Sequence, residues 1–455
     1  MTDLPESAAS ALRAAMVLSI GSSLDGDLLF VAGLPLTIAA FAIACQAMWL
    51  SESQRRSERW NAASCFWLSA IAAIGIVSPS THGQIWYEVA RRGYSAFGVL
   101  CVGLFGSDDA TWQRRAVMAL AVAACALHLV TPLGTPHPQI DVFAWTQTAV
   151  SALLHGVHPY TVHAPDVSGG SRDVGYTLSV YPYMPATIAA YTPWFALFGD
   201  FRYGLAICLP LTIWLVRSTG RSLGLDERIT NVVTLSLVLH PSGPTMVRSG
   251  WTEPLLVLAA TAFVYFRVRW PAGYAQAIAF LLLPALKQYV VVPVALYVAT
   301  RPRPAIRALI VGISVAAMTV VPFIVWNWQA TVDGMVFQMR APIEPRLTAT
   351  SLVAFMASTT GRFPPVWTSV ALQFIAGALA YARLRRSGLG GLLLGSALAL
   401  FATFLGGWQA SVNYYYFVGV LLLLSAMALA ADPEGAALAA NPQNAAVVTN
   451  VQSAA

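Results

Sequence analysis

Charge is what this chain has least of. Only 10% of its 455 residues are Asp, Glu, Lys or Arg, against 57% hydrophobic residues, and Lys287 is the only lysine. So little charge cannot clothe a soluble surface of this size. The formal net charge of +6 does not mark a nucleic-acid binder, because it sits on arginines in short segments between apolar runs, where cytoplasmic loops carry it. Cysteine is scarce too. Cys45, Cys65, Cys101, Cys125 and Cys208 all fall in apolar stretches without metal-like spacing, which excludes a disulfide framework and a zinc site and leaves small buried residues. Residues 1–10 are acidic rather than basic and no clear small-residue cleavage site follows, so no cleavable signal peptide is expected. There is no heptad and no short tandem repeat.

What is present is apolar sequence, recurring with short gaps from residue 28 to residue 429. A membrane span needs about 20 such residues. The expected fold is therefore all-α, a polytopic transmembrane helical bundle of about 12–14 spans, with short amphipathic helices in a non-cytoplasmic loop. Arginine clusters at 55–59, 114–115, 217–228, 267–269, 301–307 and 383–386 belong on the cytoplasmic side. That orientation sends 28–50 in, 62–77 out, 86–105 in and 116–130 out, and puts the segment starting at Gly134 outside. It also requires that 183–198, short and carrying Pro185 and Pro193, lie along the outer interface or insert halfway. By the same argument 275–299 crosses twice or re-enters, broken by Pro284, Lys287 and Pro293, with Lys287 near the outer tip of a helical hairpin. Residues 8–24 read either as a further first span or as an interfacial helix. Four regions follow: N-terminal spans over 1–133, a non-cytoplasmic catalytic loop with juxtamembrane helices over 134–201, a transmembrane core over 202–431, and a disordered cytoplasmic tail over 432–455, rich in Ala, Asn and Gln.

The longest polar interruption, 134–180, holds His137, Asp141, His155, His158, His163, Asp166 and Asp173. Within it Val142, Phe143, Val150, Leu153 and Leu154 share one side of a helix, with Asp141 where an N-cap belongs and Gly156 where a C′ residue belongs. Asp141 is thus expected both to cap and to present a carboxylate at the rim of a membrane cavity. The three histidines 155, 158 and 163 do not match a helical zinc pair, since Pro159 breaks the helix between them; an interfacial or phosphate-contacting role suits at least one of them better. Tyr181 and Tyr183 open the next helix as interfacial anchors or sugar-stacking groups. Further on, Glu253 follows Trp251 and Thr252 at a helix start, where it caps the helix or binds acceptor hydroxyls. Arg248 lies beside the break at 240–244, as a phosphate contact or an interfacial anchor. Trp408 and Gln409, with residues 413–416, make an aromatic patch, read as an interface belt or as a platform for sugar or lipid. Arg340, Glu344 and Arg346 lie in a second outer loop.

An aspartate just beyond a span, a short helix ending Leu153-Leu154-His155-Gly156-Val157-His158-Pro159-Tyr160, and a Tyr181-Pro182-Tyr183-Met184-Pro185 segment opening another helix resemble the polyprenol-phosphate-sugar-dependent glycosyltransferases of the GT-C superfamily. The likeness is nearest to glycosyltransferase family 87, which includes bacterial membrane mannosyltransferases, and it covers roughly residues 131–297. Two features depart from the pattern: several spans precede the key loop, and the outer loop has no Asp-Asp or Glu-Asp pair, so no metal and no other cofactor is implied. The resemblance implies transfer of a sugar, most often mannose, from a polyprenyl-phosphate carrier to a hydroxyl of a lipid or glycan acceptor at the non-cytoplasmic face of a bacterial plasma membrane. Asp141 would take the proton of the attacking hydroxyl and the anomeric centre would invert. Lys287 and Arg248 would hold the donor phosphate; a lone lysine in an apolar hairpin otherwise costs about 2.5–3.5 kcal/mol on insertion scales, unless it snorkels to the interface. His155, His158, Tyr160, Tyr181, Tyr183, Glu253 and Trp408 would contact substrate.

A transporter or flippase of a lipid-linked glycan also suits broken helices and intramembrane charge. The polar groups argue against it, because they gather at one face instead of the midplane and the sequence shows no two matching halves.

Overall fold

The structure, a computed structural model, describes residues 4–24, 30–49, 60–77, 83–107, 109–165, 180–271, 273–299, 306–337, 349–365, 367–385, 387–407 and 410–431. Among these residues all regular structure is helical. The helices in chain order are α1 (Glu6–Ser23), α2 (Phe30–Trp49), α3 (Trp60–Val77), α4 (Ile85–Phe105), α5 (Ala110–Gly134), α6 (Asp141–Leu154), α7 (Pro185–Phe198), α8 (Arg202–Ser222), α9 (Glu227–Val238), α10 (Gly243–Ser249), α11 (Glu253–Arg269), α12 (Tyr274–Leu286), α13 (Val291–Ala299), α14 (Ile306–Val332), α15 (Leu352–Thr360), α16 (Trp367–Leu384), α17 (Gly388–Leu405) and α18 (Val412–Ala431).

Four of them, α5, α14, α17 and α18, are long and apolar enough to cross a membrane, and the bent pair α7 and α8 makes a fifth if it counts as one span. Over their fully described residues α2 and α3 offer only the shorter apolar stretches Gly33–Met48 and Ala63–Val77, and α4 carries Glu88, Arg91 and Arg92. The protein is an integral membrane protein built as a helical bundle. Helix α14 shows why its sequence is apolar on every side: Ile310, Ile313, Met318, Val321 and Val325 are all exposed, which a helix sustains only against lipid. Helices α17 and α18 are apolar for the opposite reason, being mostly buried in the bundle.

The stretch 8–24, ambiguous in sequence, forms α1 and packs inside the bundle against α2 and α18. Its small residues Ala8, Ala11, Ala14 and Ala15 are buried, and small side chains let helices approach closely where lipid supplies no hydrophobic drive. The interfacial alternative is thereby excluded, since a helix lying on the surface would keep one face outside. Helices α7 and α8 meet at 109°, where Gly199 takes a φ of +70° and ends α7. Segment 183–198 therefore does not run on into α8 as a straight span. The chain also breaks where Lys287 stands: Lys287 is extended between α12 and a short 3-10 turn leading into α13. The two arms do not form a close hairpin. Helix α12 packs mainly on α11 and α14, and α13 on α16 and α17.

Two apolar cores result. The large one runs through α1, α5, α9, α11, α17 and α18. A smaller one, with Val142, Trp145, Tyr160, Tyr181, Ile188, Tyr191, Phe201, Val247 and Phe323, ties α6, α7, α10 and α14 together at one end of the bundle. Trp251 packs against both, so the residues from α10 to α11 join this end to the main bundle.

Candidate active site

At that joint lies a buried ion pair. Lys287 Nζ donates to Glu253 Oε1 at 2.5 Å, and the two side chains are 6% and 0% exposed. Tyr289 Oη and Asn413 Nδ2 also donate to Oε1, at 3.3 and 2.9 Å. The lysine cation sits over three tyrosine rings, Tyr183, Tyr289 and Tyr414, at 5.5, 5.4 and 5.0 Å from their centroids. Charge and ring quadrupole attract at this range, so both members of the pair are compensated despite burial. The sequence marks Lys287, Glu253, Tyr183 and the patch at 413–416 separately, with Lys287 and Glu253 34 residues apart. Folding brings them together and adds Tyr289, which the sequence reading passes over. The patch at 413–416 is accordingly no lipid-facing belt: Asn413, Tyr415 and Tyr416 are buried, and Tyr415 donates to the Thr350 carbonyl at 2.5 Å. Glu253 is not the cap of its helix either. Thr252 holds that position, and the Glu253 carboxylate turns to the lysine.

Asp141 stands one position further into its helix than its sequence context suggests. Ile140, with extended backbone, is the N-cap, and Asp141 is the first helical residue, its Oδ1 accepting from the Val142 N–H at 2.7 Å. A carboxylate in the first turn keeps the favourable sign of the helix dipole without capping. Asp141 is half-buried. Gly156 takes the left-handed conformation expected just past the helix end, which a side chain would strain.

What fixes α6 in place is a pair that sequence reading passes over. Arg202, fully buried, is held by Asp200 at 2.6 Å. It donates to the carbonyls of Pro132, Thr135 and Arg248 at 3.3, 2.8 and 3.2 Å, and its guanidinium lies 4.6 Å from the centroid of Phe143, two residues after Asp141. One planar cation thereby links the end of α5, the start of α6 and the end of α10, a reach only arginine offers. The available signal was weak: an Asp-Phe-Arg triplet after Gly199, at the end of an apolar run. Arg202→Ala should leave Asp200 without its counter-charge and several carbonyls without a donor. The expected loss is about 3–5 kcal/mol of stability, read as a large fall in the thermal midpoint in detergent micelles. Arg202→Lys should recover little of it.

The other expected substrate contacts fall into two groups. His158, Tyr160, Tyr181 and Tyr183 form one knot. His158 Nδ1 accepts from the Tyr160 N–H at 3.4 Å, which makes Nε2 the protonated nitrogen, and Nε2 lies 3.3 Å from the Phe323 carbonyl. That carbonyl would pair with the Asn327 N–H in a straight helix, but α14 is kinked at Asn327. Burial pushes the His158 pKa below its ordinary value, against the opposing pull of the Phe323 carbonyl. Tyr160 donates to the Tyr183 carbonyl at 2.5 Å and Tyr181 pairs with Thr187. His155 stands apart and exposed, bonded to the Ser151 carbonyl at 2.8 Å.

Arg248 belongs to different surroundings from Lys287. The charged and polar groups acting on it are Tyr87, Glu88, Arg91 and Arg202, whereas Lys287 faces Glu253 and the three tyrosines. Arg91 is itself buried, paired with Glu88 at 3.0 Å and donating to the Gly75 carbonyl at 3.1 Å. The two expected phosphate cations thus stand among two separate polar groups. Trp408, Gln409, Asp166, Asp173, Arg340, Glu344 and Arg346 lie outside the described residues.

No protein-family model matches the chain, and no curated protein matches it. Among solved structures, the crystal structure of ArnT from Cupriavidus metallidurans bound to undecaprenyl phosphate is similar, with a TM-score of 0.42 and 15% sequence identity over 70% of this chain and 60% of that one. The chain therefore spans less than two thirds of the length of that structure.

Proposed function

We propose that this protein is a membrane glycosyltransferase that moves a sugar, mannose in the first instance, from a polyprenyl-phosphate donor to a hydroxyl of a lipid or glycan acceptor on the non-cytoplasmic side. The observation that carries the reading is the buried, tyrosine-walled Lys287–Glu253 pair. It is joined through Tyr183, Tyr160, Trp251 and Arg202 to the helix that begins with Asp141. An all-helical membrane protein has no need of such a set for packing, because apolar residues of similar volume would serve as well or better. Tyr183, from the motif at 181–185, lies against the pair, and Tyr160, from the motif at 153–160, is bonded to the Tyr183 carbonyl; both motifs are those of the GT-C resemblance.

Asp141 acts as general base toward the attacking hydroxyl, and direct displacement inverts the anomeric centre. Lys287 steadies the phosphate, whose charge grows as the sugar leaves, and Arg248 contributes from its neighbouring group. Tyr183 and Trp408 offer rings to the sugar or the lipid, and His155 a polar contact at the exposed rim. His158, Tyr160 and Tyr181 have their polar atoms engaged within the protein, so they contribute the shape of the wall.

Purified protein in lipid nanodiscs, given polyprenyl-phosphate-mannose and a membrane-lipid extract, should form a new glycosidic bond and release polyprenyl phosphate. Movement of labelled lipid across vesicles without bond formation would instead establish the flippase reading.

A further inference from the structure

The polar groups around the ion pair are not all used. Three donors converge on Glu253 Oε1, yet Oε2 of the same carboxylate is buried and has no hydrogen-bond partner among the described residues. The same holds for the Thr252 hydroxyl at the start of α11, the Ser249 hydroxyl that closes α10, and both amide atoms of Gln288, next to Lys287. It also holds for the Tyr191 hydroxyl, which feels the Glu253 charge from α7. Tyr191, Ser249, Thr252 and Glu253 are almost wholly inaccessible. A buried polar atom left unpaired costs about 1–3 kcal/mol, more when charged; Glu253 belongs to the ion pair, Ser249, Thr252 and Gln288 lie within four residues of it along the chain, and Tyr191 is within reach of the Glu253 charge.

We propose that these residues line a sugar-binding subsite, and that Glu253 Oε2 accepts the C2 hydroxyl of the donor sugar. The chemistry fits a polyhydroxyl ring. Sugar hydroxyls both donate and accept, which suits a set containing a carboxylate oxygen, three hydroxyls and a primary amide. Tyr183, Tyr289 and Tyr414 supply aromatic faces beside it. The choice of C2 rests on the proposed function, in which Lys287 holds the donor phosphate. Glu253 touches Lys287, so its second oxygen stands near the phosphate-bearing anomeric carbon, and the hydroxyl next to that carbon is on C2. Tyr289 and Asn413 then act as positioning residues that, with Lys287, keep the carboxylate turned.

Glu253→Gln tests this directly. All three partners of Oε1 are donors, so the glutamine must keep its carbonyl there and place its NH2 where Oε2 was. An acceptor becomes a donor while the outline is unchanged. The measurement is kcat/KM for polyprenyl-phosphate-mannose and for its 2-deoxy analogue, taken as a ratio so that the analogue's intrinsic reactivity cancels between variants. Wild type should carry a preference for the parent sugar about 100-fold larger than Glu253→Gln, which loses a contact made only with the hydroxyl. Tyr191→Phe removes one unpartnered hydroxyl and leaves the ion pair alone. It should lower kcat/KM for the mannose donor about tenfold and leave binding of bare polyprenyl phosphate unchanged. An unaltered ratio in a folded Glu253→Gln protein overturns the C2 contact. If that variant does not fold, wild-type kinetics in Tyr191→Phe overturns the subsite. Wild type that transfers neither sugar overturns the glycosyltransferase reading and this inference with it, whereas transfer with no change in either variant overturns this inference alone.

Discussion

Asp141→Asn is expected to lower sugar transfer by about 10²–10⁴-fold with no change in expression or thermal midpoint. The size follows from the chemistry. An alcohol is a weak nucleophile at neutral pH, and the carboxylate is asked to take its proton as the new bond forms. Asparagine keeps a carbonyl oxygen for the Val142 N–H that Asp141 Oδ1 accepts, so α6 should start in the same place, but it cannot accept a proton. The check is the initial rate of glycosidic bond formation in nanodiscs at saturating donor. Transfer at the wild-type rate would remove Asp141 from the mechanism while leaving the sugar subsite and the ion pair to be judged separately.

Lys287→Met should produce two losses that can be separated. Stability should fall by about 3–5 kcal/mol, because Glu253 would be stranded as a buried charge. Donor use should also fall, with the apparent KM for the polyprenyl-phosphate sugar rising. Lys287→Met combined with Glu253→Gln removes both charges and keeps an acceptor for Asn413 and Tyr289. The double variant should regain most of the stability, since replacing a whole buried pair is often neutral, yet remain unable to use the donor. Thermal unfolding in micelles and donor kinetics on the same preparations read the two effects. If donor affinity returns together with stability, Lys287 serves only to neutralise Glu253 and the phosphate role fails.

These expectations rest on parts of the molecule that were unequally legible. Helix positions were largely readable: 62–77 fell within α3, 86–105 became α4 and 116–130 the middle of α5. Apolar runs bounded by arginine and glycine leave few alternatives when every backbone group must bond internally. The break at Lys287 was readable as well, from two prolines and a lone charge. The arrangement of its two arms was not, because whether α12 and α13 pack on each other or on separate neighbours depends on side-chain fit across the bundle. Asp141 shows the limit at single-residue scale. Its type and context suit a cap, but the cap is a backbone geometry, and Ile140 adopts it. Arg202 was missed because an arginine after an apolar run looks like any loop charge, and only its contacts with α5, α6 and α10 show that it is buried and shared.

By itself the sequence determined that this chain is helical and lives in a membrane, and that its chemistry gathers in a few places, since so few ionisable residues leave little choice. Only the tertiary structure decided what those residues do to one another. It set Glu253 against Lys287 across 34 residues, brought Asn413 to the same oxygen from 160 residues away, and left the second carboxylate oxygen unpaired among other buried polar atoms. Hydropathy acts along the chain and can be read there. Hydrogen bonds and ion pairs depend on distances of a few ångströms between segments far apart in sequence, and those distances are fixed by packing.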